Sequence, residues 1–189
     1  MSNEAAVADN RSLTLGAAAG PLGYLALGLT LLAYGLVATG VISNTAGADT
    51  KDLAFWVGGV TLFIAGLLEF RAGSAGTGTA FGGLGALWVA ASQMTFTSTN
   101  AAGLFFVLWA LLALSLTASQ WGHESLLVRG VYGLFTVALV LWAIDEFAGN
   151  ADLGKIAGWV AAVAGLFSWY AATVALGGNK WGRVTLPVR

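Results

Sequence analysis

The sequence contains no cysteine, a single histidine, and only 9% charged residues. Without cysteine there is no disulfide framework, no thiolate nucleophile and no Cys-based metal site. One histidine and no cysteine leave no material for a catalytic triad or a zinc centre. That histidine, His123, sits in Gln120-Trp-Gly-His-Glu124 and reads as a solvated loop residue. No enzyme chemistry, cofactor or metal is expected. The formal net charge is −1 and no basic run occurs, which argues against nucleic acid as a partner. Residues 1–16 lack the basic start, short apolar run and cleavage site of a signal peptide, and read as a cytoplasmic or interfacial arm.

What takes the place of charge is apolar surface. Hydrophobic residues make up 58% of the chain, and soluble domains carry about 25% charged residues. A soluble core of this size could not hide so much apolar surface. From Ser12 to Ala48, and again from Ala72 to Gly122, no formally charged residue occurs. A bilayer core of ~30 Å is crossed by a helix of about 20 residues, so the first run holds one span and the second two. The whole reads as an all-α, multi-pass membrane protein of six spans: Pro21 to Ile42, Leu53 to Phe70, Thr79 to Met94, Ala101 to Ala118, Leu126 to Ile144, and Gly154 to Leu176. Residues 17–178 form the membrane domain and 179–189 a polar, basic cytoplasmic tail. Pro21 is expected to start the first helix, where its missing N–H is harmless. The spans also read as hairpins 1–2, 3–4 and 5–6, a hint of threefold pseudosymmetry for which no repeat motif is found.

Orientation follows from Lys and Arg. Arg11, Arg71, Arg129, Lys180, Arg183 and Arg189 fall on the side of the termini, and only Lys51 and Lys155 on the other, among Asp49, Asp52, Asp145, Glu146 and Asp152. Six against two places both termini in the cytoplasm, and an even number of spans requires them to share a side. The expected location is a cell membrane or bacterial inner membrane.

No Asp, Glu, Lys, Arg or His lies near the middle of a span. A midplane carboxylate relay and a deep retinal-binding lysine are therefore absent. The polar groups left at depth are hydroxyls and amides such as Thr30, Tyr34, Ser92, Tyr132, Thr136 and Ser168. Singly, each is expected to bond its own helix or a neighbour; together they suit a path for a small, weakly polar solute. Gly28, Gly35, Gly154, Gly158 and Ala162 suit close helix contact. Trp88, Trp109 and Trp169 read as packing residues. Glu69, ending span two, reads as an interfacial salt bridge to Arg71, Arg129 or Arg183, or as a gate at the cytoplasmic mouth.

Several segments carry a resemblance. They are Pro21-Leu-Gly-Tyr24, Ala65-Gly-Leu-Leu-Glu-Phe70, Thr79-Ala-Phe81 with Trp88, Ala148-Gly-Asn150, Ala157-Gly-Trp159 and Gly182-Arg-Val-Thr-Leu-Pro187. In order and spacing they resemble the acetate uptake transporter family of bacteria and yeasts. The resemblance implies a six-helix protomer with its own pore, assembled as a homo-hexamer in the lipid bilayer. It implies passage of acetate, related short monocarboxylates or succinate; since no cation lies at the midplane to offset a bare anion, the acid is expected to cross with a proton. The family narrows its pore at Phe, Tyr and Leu from the odd helices; these fall here on Leu27, Leu84 and Phe135. Polar lining is expected from Tyr24, Thr30, Thr79, Trp88, Thr136 and Asn150, and a gate or salt bridge from Glu69, Arg71 and Arg183. A passive channel for ammonium or urea, or a structural membrane protein without flux, remains open from the residues alone.

Overall fold

The computed structural model describes residues 2–42, 44–45, 47–121 and 126–177, with side chains from residue 19 onward. Among the described residues, every regular element is helical. Six membrane-length segments follow one another. They are α1 (Ser2–Thr39), α2 (Gly47–Arg71), α3 (Ala75–Gln93), α4 (Thr99–Ser119), α5 (Leu126–Ala148) and α6 (Ala151–Gly177). Within α2 a 3₁₀ turn, Gly47–Thr50, leads into a π-helical stretch, Ala54–Thr61, before regular helix resumes at Leu62. The wider winding shows in Thr61, whose hydroxyl donates to the carbonyl five residues back, Trp56 O, at 2.9 Å. Five of the segments are long and apolar enough to cross a membrane. The sixth, α3, is diluted by Gly and Thr but has 19 residues and no charge, about 28 Å at 1.5 Å per residue. The chain is a multi-pass membrane protein.

One expectation is corrected at the start of the chain, and another takes a helical form. Pro21 lies inside α1, which runs unbroken from Ser2. The arm expected over residues 1–16 is thus, from Ser2, the beginning of α1 itself. A proline interrupts a helix by removing one N–H, a loss that packed membrane helices tolerate. The other boundaries lie close to expectation. α2 ends in a Schellman turn, with Ser74 N–H on Glu69 O at 2.9 Å and Gly73 N–H on Phe70 O at 3.0 Å. Gly73 has φ +82°, which a glycine takes without strain. This tight turn lets α3 begin at Ala75, four residues before the expected Thr79. Ser98 caps α4 by accepting from Ala101 N–H at 3.2 Å. Only Gly149 and Asn150 join α5 to α6.

The packing keeps hairpins 1–2 and 5–6 in contact but opens hairpin 3–4, where α3 and α4 scarcely meet. The closest pairs are α1 with α6 and α2 with α3, and α5 packs on α4 and α6 about equally. Glycine decides this. A Cβ on Gly35 would fall 2.6 Å from Gly158 O, and one on Gly28 would fall 2.9 Å from Gly165 O. The two helices therefore run antiparallel with their backbones in contact, Gly28 opposite Gly165 and Gly35 opposite Gly158. The α2/α3 seam repeats the device: a Cβ on Gly66 would meet Gly82 N at 2.5 Å, and one on Gly85 Phe63 N at 2.7 Å. Small residues allow this approach, and dispersion and hydrogen bonding hold it, because lipid offers no hydrophobic drive between helices. Outward, α4 shows Leu104, Leu108, Leu111 and Leu114 in a row.

Candidate functional site: three side-chain layers between two mouths

The odd helices α1, α3 and α5 stand apart as backbones and meet through their side chains. Leu27, Leu84 and Phe135, one from each, are all fully buried in a single cluster. Each is preceded three residues earlier by an aromatic residue: Tyr24, Phe81 and Tyr132. Each is followed four residues later by a buried apolar one: Leu31, Trp88 and Leu139. The rings link the helices. Tyr24 meets Phe81 edge-on at 5.0 Å, Trp88 stacks on Phe135 at 6.1 Å, and Tyr34 meets Trp88 at 5.4 Å and Trp142 at 5.6 Å.

At one end lies Glu69, only 7% exposed. Its carboxylate stands against Gly20, where a Cβ would be 3.5 Å from Oε1, and is hydrogen-bonded by the Ser74 side chain. The expected ion pair is not formed with Arg71 or Arg129 among the described residues. Arg71 is exposed, and positions two apart on a helix point in different directions. Arg129 instead donates to Gln120 O at 3.2 Å and lies over the Trp121 ring at 5.4 Å. Arg183 lies outside the described residues.

At the other end a cavity of about 430 Å³ opens, bounded by Tyr34, Phe106, Trp142, Asp145, Glu146 and Lys155. Lys155 pairs with Asp152 at 3.0 Å, both well exposed.

The polar candidates separate. Tyr24 and Trp88 lie in the layers. Thr30 is fully buried, but its hydroxyl donates to Ala26 O at 2.8 Å. Thr136 donates to Tyr132 O at 2.8 Å and faces Thr117 of α4 at 3.3 Å. Thr79 is exposed, unlike its neighbours Ala80 and Phe81. Asn150 is exposed and its Oδ1 accepts from Asp152 N–H at 3.2 Å, a cap for α6. Thr136 and Asn150 are held by partners that spacing alone does not reveal, and Thr79 lies outside the layers. Ser168 crosses helices, donating to Tyr24 O at 2.8 Å. Phe81 and Trp142 were not singled out from the sequence. The signal that finds Phe81 is the recurrence, in all three odd helices, of an aromatic residue, a bulky apolar residue three later, and another four beyond that; Trp142 falls outside this pattern.

The fold and the layered axis define the class: a helical membrane protein whose odd helices converge on a common core. The chain matches the GPR1/FUN34/yaaH family over residues 8–188 and belongs to that family. It is 28% identical over 179 residues to the succinate-acetate/proton symporter SatP of Escherichia coli (strain K12), covering 89% of this chain and 93% of that protein. The SatP of Shigella flexneri matches to the same extent. Among solved structures, the bacterial acetate channel SatP superposes with a TM-score of 0.82 at 24% identity, covering 90% of this chain and 98% of that one, and shows the fold.

Proposed function

We propose that the chain carries acetate and related short carboxylates, succinate included, across the membrane, with Leu27, Leu84 and Phe135 as the narrowest point of a path within each protomer. The observation that carries this reading is the meeting of the three odd helices in buried apolar layers between a cavity at one end and Glu69 at the other. The names of the relatives support this substrate class. Both termini face the cytoplasm, and six protomers form the assembly, as the family resemblance implies.

The permeating form follows from the chemistry of the layers. No charged side chain stands among them, so nothing offsets the desolvation of a bare carboxylate, which costs several kcal/mol even after relaxation. A small acid with a carboxyl pKa of roughly 4–5 keeps re-equilibrating with its neutral form. The acid therefore crosses the apolar layers together with its proton, and the spans need no proton relay. In liposomes, uptake of labelled acetate should exceed that of urea, rise as external pH falls toward 4–5, and acidify the lumen. A pH-insensitive acetate current that follows voltage would overturn the proton-linked form; no acetate uptake at all would overturn the reading.

A further inference from the structure

Within the layers, one donor stands out. Trp88 is 2% exposed and its indole Nε1–H has no hydrogen-bond partner among the described residues. A buried donor without an acceptor is costly, and folded proteins retain few of them. The hydroxyls nearby are satisfied locally: Thr30 by Ala26 O and Ser92 by Val89 O. Trp88 is held in place from three sides. It stacks on Phe135 and meets Tyr34 edge-on. Behind it lies Gly58 of the π-helical stretch, where a Cβ would fall 2.9 Å from Trp88 Cγ. The π winding thus places a glycine where the indole needs room. Tyr34, in contact with this ring, borders the 430 Å³ cavity.

We propose that Trp88 Nε1–H and the Tyr34 hydroxyl form a carboxyl-binding subsite at the floor of that cavity, and that its ligand is a short monocarboxylic acid. This rests on the transport reading above. Both groups are neutral donors, so a carboxyl oxygen accepts from them, while the rings of Phe106 and Trp142, which line the cavity, surround a small alkyl group. The charged groups at the cavity are Asp145, Glu146 and Lys155, and Lys155 is engaged with Asp152. The subsite therefore holds the acid by hydrogen bonds and shape, just before the level of Leu27, Leu84 and Phe135, and releases it readily.

The test uses the full chain in lipid nanodiscs, with ¹⁵N-labelled tryptophan. The Trp88 indole resonance, assigned by its loss in Trp88→Phe, should shift saturably with acetate. It should not shift with ethylammonium, which has no acceptor. In liposomes, Trp88→Phe and Tyr34→Phe should each raise the half-saturating acetate concentration by about threefold to tenfold, the weight of one hydrogen bond. The maximal rate should stay within about twofold, a split that a purely structural defect does not produce. If Trp88→Phe fails to fold, Tyr34→Phe carries the kinetic test, and the titration asks whether any indole resonance shifts saturably with acetate in wild type and less so in Tyr34→Phe. No acetate-dependent shift, or unchanged half-saturation in wild-type-like liposomes that do take up acetate, overturns the subsite. Wild-type liposomes that take up no acetate overturn the transport reading instead, and the resonance titration still decides the subsite.

Discussion

The seams between helices and the axis they surround are built from opposite materials. Along α1/α6 and α2/α3 the contact is backbone on backbone, through Gly28, Gly35, Gly158, Gly165, Gly66 and Gly85. Along the axis it is large side chain on large side chain, through Tyr24, Phe81, Leu84, Trp88 and Phe135. A seam of this kind has one geometry, since a main chain cannot move aside for an added atom. An axis of side chains has several, since rotamers and ring tilts can change at lower cost. The scaffold is therefore stiff where helices join, and whatever opens is filled by side chains.

The sharpest test of that contrast is truncation in the axis. Phe135→Ala removes a fully buried ring that stacks on Trp88, and should cost about 3–5 kcal/mol of stability by cavity formation. Provided the seams hold the helices apart, the cavity stays open. Flux of larger acids should then rise relative to acetate, and Leu84→Ala should do the same more weakly. Unaltered size selectivity in both would remove these residues from the narrow point.

On the seams, one methyl suffices. Gly35→Ala sets a Cβ 2.6 Å from a backbone oxygen and should destabilise by about 1–3 kcal/mol through overpacking. Gly83 provides the control. Its added Cβ would meet only the side-chain end of Leu112, at 3.0 Å, so Gly83→Ala should unfold within a few degrees of wild type. Equal thermal shifts for the two in detergent would show that seam rigidity is not what distinguishes them.

The smallest effect is expected where the seam borrows a polar tie. Ser168→Ala loses the hydroxyl that donates to Tyr24 O and should cost about 0.5–1.5 kcal/mol, as single interhelical hydrogen bonds in membranes do. Thermal unfolding of the two proteins side by side reads this difference. A loss several times larger would mean that the bond also fixes the Tyr24 ring in the axis.

By itself, the sequence determined the class and most of the helix ends. Charge-free runs set the spans, and the tight polar groups between them, such as Thr95–Asn100, set the breaks. The family resemblance pointed to Leu27, Leu84 and Phe135 through motifs that flank them, and all three are buried. The sequence marked Gly28, Gly35 and Gly158, though not Gly165, as contact residues without saying which helix each touches. Tertiary structure alone decided the pairing of α1 with α6, because the match of Gly28 to Gly165 and Gly35 to Gly158 joins residues more than a hundred positions apart. It alone sorted the polar candidates. Thr136 and Asn150 are taken up by Thr117 and by the α6 cap, while Trp88 keeps an unpartnered donor. Composition shows that a polar group lies at membrane depth, but the group's role depends on which acceptor lies within about 3 Å. Only the packed helices set that distance.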